Sequence, residues 1–122
     1  PGVKTDPAFP VPATMKAWVL GDPHQLHYVD KPVPVPKKAE VLVRIDAIAI
    51  CATDLDVIAS GPPAMIQGGL PFNKNFTPGH EYMGTVAALG PGVDEFAIGD
   101  RVTVEIHAGC GQCKRCRMGM YT

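Results

Sequence analysis

Apolar residues recur at alternate positions between Glu40 and Ile50, and this is the clearest strand pattern in the chain. Val41, Val43, Ile45, Ala47 and Ala49 share one face, and Leu42, Arg44, Asp46, Ile48 and Ile50 share the other. The second face turns apolar toward Cys51. The strand is therefore expected to run from a half-wet edge into the interior and to deliver Cys51 at a buried end. Met15–Leu20 and Leu26–Asp30 read as two earlier strands, the first ended by a turn at Gly21-Asp22-Pro23. Tyr82–Leu89 and Arg101–Glu105 read as two later ones, with turns at Gly90-Pro91-Gly92 and Ile98-Gly99-Asp100. Tyr82 and Met83 are assigned to the core.

Between these strands the pattern changes. Thr53–Ala59 predicts a short helix, with Thr53 as N-cap, Asp54 and Asp56 in its first turn, and Gly61-Pro62-Pro63 as its stop. Pro1–Thr14 carries four prolines and no apolar period, and reads as an extended arm on the surface or as disordered. In Lys31–Pro36 every second residue lacks a backbone donor, so this stretch reads as an extended edge segment. Ala64–Pro78 is a loop rich in Gly, Pro and Asn, long enough to suggest a function of its own. Short strands divided by turn signals predict a mainly β fold, a barrel or sandwich, and no internal repeat is present.

Composition narrows the function. The chain has 122 residues, room for one ordinary domain, and 46% hydrophobic residues, enough for a core. Only 19% are charged and the net charge is -1, which excludes a strongly basic nucleic-acid binder. No apolar run is long enough for a membrane helix. No basic stretch precedes an apolar one near the start, so no secretory signal is expected.

The four cysteines are unevenly placed: Cys51 stands alone, and Cys110, Cys113 and Cys116 follow one another at two-residue spacing. Disulfide frameworks spread their cysteines to staple distant loops, whereas this spacing lets three thiolates converge on one tetrahedral metal. Gly109, Gly111 and Gly119 ease the turns such a knuckle needs. A redox pair of the C-x-x-C kind is the alternative. Three thiolates do not close a structural zinc site, so either a fourth ligand comes from elsewhere or the sequence ends before it. Lys114, Arg115 and Arg117 form a solvated rim whose charge offsets the thiolates. Free cysteines suggest a reducing compartment, most simply the cytoplasm.

Taken singly, Cys51 reads as a small buried hydrophobe and His80 beside Glu81 as a satisfied pair. Taken in order they resemble a family. Cys51-Ala52-Thr53-Asp54 after a strand, Gly79-His80-Glu81 before the next, Gly99-Asp100-Arg101-Val102, and the Cys110-Cys113-Cys116 knuckle resemble zinc-dependent medium-chain alcohol dehydrogenases. The resemblance implies a GroES-like, irregular, partly open β-barrel with short helices and a cysteine-rich zinc loop. It implies that residues 15–122 are the N-terminal catalytic domain, incomplete here, preceded by the 1–14 arm. The nucleotide-binding domain lies outside this chain, and Gly90-Pro91-Gly92 is a turn and not its fingerprint.

By the same resemblance Cys51 and His80 ligate catalytic zinc, a third ligand lies beyond Thr122, and Cys110, Cys113 and Cys116 ligate structural zinc. Thr53, Asp54 and Glu81 are then catalytic residues: Thr53 bonds the substrate oxygen and relays its proton, Asp54 orients His80, and Glu81 is a carboxylate near the metal. The implied function is reversible NAD- or NADP-linked oxidation of a small alcohol to an aldehyde or ketone, by a homo-oligomer when full length. Neither nucleic acid nor membrane is an implied partner. The 122-residue piece alone is expected to be inactive. Two departures stand out. Asp56 occupies a position where many members carry a proton-passing histidine, and His80 follows Cys51 by 29 positions, which makes the intervening loop long. The rival readings are a non-enzymatic GroES-like interaction module that keeps a zinc knuckle, and a zinc-free reductase relative. His24, His27, His107 and Glu105 are read as structural.

Overall fold

The computed structural model describes residues 2–61, 76–107 and 109–120. Expectations for residues 62–75, Ala108, Tyr121 and Thr122, including most of the 64–78 loop, lie outside the described residues. The described chain is mainly β. Its strands are β1 (Lys4–Thr5), β2 (Thr14–Leu20), β3 (Leu26–Pro32), β4 (Val41–Ala49), β5 (Glu81–Leu89) and β6 (Arg101–Thr103), with helices α1 (Ala52–Ser60) and α2 (Lys114–Arg117).

β5 is the organising strand. β4 pairs along one of its edges, while β1 and β6 pair at opposite ends of the other, all antiparallel. With both edges occupied, the C-terminal part of β5 from Gly84 to Leu89 is buried. Val86, Leu89 and Val93 form the core cluster, with Val41, Ile98 and Val102 packed against it. β2 and β3 form a separate antiparallel hairpin that buries Ala17, Val19 and Leu20 and leaves the cross-strand pair Trp18–Tyr28 on its outer face. Among the described residues the two sheets do not close into a barrel, in keeping with a partly open GroES-like fold.

The alternation in β4 is interrupted twice, between Leu42 and Val43 and between Ile45 and Ala47. At the second break Ile45 opposes Gly84 and Ala47 opposes Met83, so Asp46 is the extra residue of a bulge. The bulge is tied down from β5: the Thr85 hydroxyl donates to Asp46 Oδ2 at 2.7 Å, and Arg44 Nε donates to Oδ1 at 3.2 Å. These contacts, the Thr85 bond first, hold the Asp46 carboxyl below its ordinary value. Gly84 sits opposite, where a Cβ would collide with the Arg44 carbonyl; only glycine lets the two strands approach.

Several expectations are corrected. β4 does not run into an interior: Ile45, Ile48 and Ile50 are 50%, 52% and 81% exposed, and Cys51 is half-buried. Among the described residues β5 pairs along an edge of β4 and these side chains are covered only in part, Ile48 by the backbone at Gly79. Met83 is exposed and Tyr82 half-buried, so neither is core; they lie at the end of β5 beyond the cluster. The last strand is Arg101–Thr103, with the Val104 amide still donating to the Tyr82 carbonyl at 3.2 Å. Helix α1 begins at Ala52 and its N-cap is Cys51, not Thr53, which places Asp54 in the first turn and Asp56 beyond it. The N-terminal arm is extended and exposed, and two of its residues pair with β5.

Leu89→Ala should lower stability by about 2–5 kcal/mol, because it opens a void among Val86, Val93 and their neighbours. Ile45→Ala, at a half-exposed position, should stay within about 0.5 kcal/mol. Urea unfolding monitored by fluorescence separates the two.

Candidate metal centres

The register of β4 against β5 makes the first centre. Ala49 opposes Glu81, so the exit of β4 and the entry of β5 lie side by side. Cys51 follows Ala49 by two residues and His80 precedes Glu81 by one, and the pairing therefore brings them together across the gap in sequence. Gly79 permits the approach: its φ is 111°, in the left-handed region, and a Cβ there would strike the Ile48 side chain.

Asp54 joins the two elements. Its Oδ2 accepts the Cys51 backbone N–H at 2.9 Å, one half of a capping box, and its Oδ1 lies 3.2 Å from His80 Nδ1. The carboxylate is only 7% exposed. A proton shared at Nδ1 leaves the His80 Nε2 lone pair free for a metal, the arrangement that fixes tautomer and ring orientation in metal-binding histidines. The Nε2 atom lies 3.7 Å from Glu81 Oε1. Cys51 Sγ, a His80 ring nitrogen and a Glu81 oxygen all lie within 4.8 Å of one another. Tetrahedral zinc with bonds of about 2.0–2.3 Å sets its ligand atoms about 3.3–3.8 Å apart, so small side-chain rotations complete the set. The chemistry of thiolate, imidazole and carboxylate also suits zinc. The residues fit the metal.

A cavity of about 320 Å³ opens beside this group. Thr53, Asp54 and His80 give it polar groups; Val57, Phe76, Pro78 and Ile106 give it an apolar wall. Thr53 Oγ1 lies 3.7 Å from Cys51 Sγ, between the sulfur and the cavity lining.

The second centre is local. Cys116 Sγ lies 3.5 Å from Cys113 Sγ and 3.7 Å from Cys110 Sγ, close to the edge of about 3.8 Å expected for thiolates on one zinc. The Cys113 amide donates to Cys110 Sγ at 3.4 Å and the Cys116 amide to Cys113 Sγ at 3.5 Å. Such donors stabilise thiolate, and with those of Cys113 and Gln112 foremost they bring the Cys110 thiol down from 9.0 to about 7. Cys113 caps α2, on which Lys114, Arg115 and Arg117 are exposed, with Arg115 Nε donating to the Met120 carbonyl at 3.2 Å.

Among the described residues these are the two groups of three metal-competent side chains. The structure thus brings together Cys51, His80 and Glu81, with Asp54 and Thr53 beside them, and separately Cys110, Cys113 and Cys116. Asp56 is exposed on α1 and does not line the cavity. His107 pairs with Glu105, 3.2 Å from ring to carboxylate, and His24 takes a left-handed turn with φ 66°. Sequence reasoning missed Phe76, Pro78 and Ile106 as cavity walls, since isolated apolar residues in loops carry no periodic signal. Glu81, expected as a carboxylate near the metal, has an oxygen within 4.8 Å of the Cys51 and His80 donor atoms.

Comparison with known proteins places these centres in context. Residues 37–122 match the alcohol dehydrogenase GroES-like domain family. The chain is 39% identical over 111 residues to sorbitol dehydrogenase of Bacillus subtilis, covering 91% of this chain and 30% of that protein. A cobalt- and zinc-bound thermostable alcohol dehydrogenase from Pyrobaculum aerophilum superposes with a TM-score of 0.75 at 30% identity, over 88% of this chain and 31% of that one. Acetophenone reductase from Geotrichum candidum in complex with NAD superposes with a TM-score of 0.71 at 33% identity, over 89% of this chain and 30% of that one. The chain spans about 30% of the length of the curated relative.

Asp54→Ala should destabilise the metal-free chain by about 1–3 kcal/mol, through loss of the cap and of the partner of His80; thermal unfolding measures it. Alkylation of Cys110 by iodoacetamide, followed by mass spectrometry, should accelerate as pH rises through about 7, because thiolate is the reactive form.

Proposed function

The chain belongs to the alcohol dehydrogenase GroES-like domain family, and from that premise we propose that it is the catalytic-domain portion of a zinc-dependent, NAD- or NADP-linked alcohol dehydrogenase. The observation that carries this is the convergence of Cys51, His80 and Glu81 at a cavity, with the buried Asp54 carboxylate behind the histidine. A scaffold needs no such grouping, and this favours the enzyme over an interaction module. The likeness to a zinc-bound alcohol dehydrogenase and to a reductase in complex with NAD supports both cofactors.

Cys51 and His80 would hold the catalytic metal, with Glu81 as a third donor from this chain. When bound, zinc there supplies a Lewis acid that makes an alcohol hydroxyl more acidic and a carbonyl more electrophilic. Asp54 keeps His80 in the tautomer that presents Nε2. Thr53 lines the cavity with a hydroxyl that accepts a hydrogen bond from the substrate hydroxyl and passes its proton onward. Val57, Phe76 and Ile106 hold the carbon skeleton and keep water from it. A nicotinamide cofactor, when bound, would supply the hydride acceptor for the alcohol carbon. Cys110, Cys113 and Cys116 would hold a second, structural zinc with a fourth donor. The reading extends to a small alcohol or carbonyl substrate, a homo-oligomeric full-length protein and a cytoplasmic setting, the last supported by four free cysteines.

Thr53→Val in the full-length enzyme should cut turnover about 100-fold with zinc content unchanged, and Thr53→Ser should be tolerated. Steady-state kinetics with metal analysis checks this, and unchanged turnover in the valine variant removes Thr53 from the mechanism. Zinc content should fall by one equivalent in Cys51→Ala and in His80→Ala. Full zinc content in both would overturn the site.

A further inference from the structure

The knuckle sulfurs are placed for a second chemistry besides metal binding. Cys116 is half-buried and central, 3.5 Å from Cys113 Sγ and 3.7 Å from Cys110 Sγ, while Cys110 and Cys113 are exposed. A disulfide needs sulfurs at about 2.05 Å, a closure of about 1.5 Å that side-chain rotation supplies. Cys113 and Cys116 sit one helical turn apart, the spacing at which side chains on one face meet. Their pairing closes a smaller ring than Cys110 with Cys116 and starts from the shorter distance.

We propose that Cys113 and Cys116 form a reversible disulfide under peroxide when the knuckle carries no metal, so that zinc binding and oxidation compete for the same two sulfurs. The exposed Cys113 sulfur attacks one oxygen of hydrogen peroxide as its thiol proton leaves; the O–O bond breaks, and the departing hydroxide takes that proton to become water. Cys116 then attacks the Cys113 sulfenic acid. The S–S bond forms as the S–O bond breaks, and the second oxygen leaves as water with the thiol proton. Two thiols are oxidised and one peroxide is reduced to two waters. Cys110 keeps its thiol, and Cys51 belongs to the other cluster. The proposal stands on the sulfur positions and does not depend on the dehydrogenase reading.

The test treats the whole 122-residue chain, stripped of metal and freed of reductant, with equimolar hydrogen peroxide. Two of the four thiols should be lost with a mass decrease of about 2 Da, a peptide linking Cys113 to Cys116 should appear, and dithiothreitol should restore both thiols. Preloading with zinc should slow the loss at least about tenfold, because metal-held thiolates are less available. Cys110→Ala should keep the link, and the double variant Cys110→Ala with Cys116→Ala should leave a Cys113 sulfenic acid that dimedone traps. A link involving Cys51, a link between chains, retention of all four thiols, or equal rates with and without zinc would each overturn it. Peptide mapping of the unaltered chain decides the pairing even where a variant does not fold.

Discussion

The first centre depends on one buried carboxylate. Asp54 is 7% exposed and serves two elements at once: it caps α1 through the Cys51 amide and holds the His80 ring through Nδ1. A buried charge without such partners would be costly. Here each partner also carries a metal-competent atom, so the group that stabilises the helix start also sets the spacing of the candidate ligands. Thr53 and Glu81 fall into place as sequence neighbours of residues already fixed by this bond.

Asp54 can reach His80 only because β5 lies beside β4 in the right register. That register is set by packing at the far end of β5, where Val86 and Leu89 sit in the core, and by the Asp46 bulge pinned by Thr85. The bulge adds one residue to β4 before its exit. It offsets the earlier irregularity at Ala87 of β5, so that Ala49 and Glu81 return to the register that Val41 and Leu89 set. A feature in mid-strand thus determines where a ligand appears five residues later.

The two centres are built in opposite ways. Three cysteines within seven residues carry their own geometry, with backbone amides donating to their sulfurs and a single short helical turn. The Cys51–His80 centre is assembled from two strands and a helix cap. The first is therefore sensitive to what happens to its thiols, and the second to the integrity of the sheet. The same closeness of the knuckle sulfurs underlies both the zinc site and the disulfide proposed for them.

The sequence by itself determined the strands and α1 to within a residue or two, except β1, which lay hidden in the N-terminal arm, together with the mainly β class and the knuckle. Each of these follows from spacing within a few residues, where alternation, turn residues and x-x intervals act locally. The order of motifs pointed to the family, which the match over residues 37–122 shows. Tertiary structure decided the rest. It made Cys51 the helix cap in place of Thr53, exposed Ile45, Ile48 and Ile50, removed Met83 from the core, and drew Phe76 and Ile106 to one cavity. The reason is physical: the bulge and the pairing of β4 with β5 join residues far apart in sequence, and no local pattern records which partner lies across a strand or whether an apolar face has been covered.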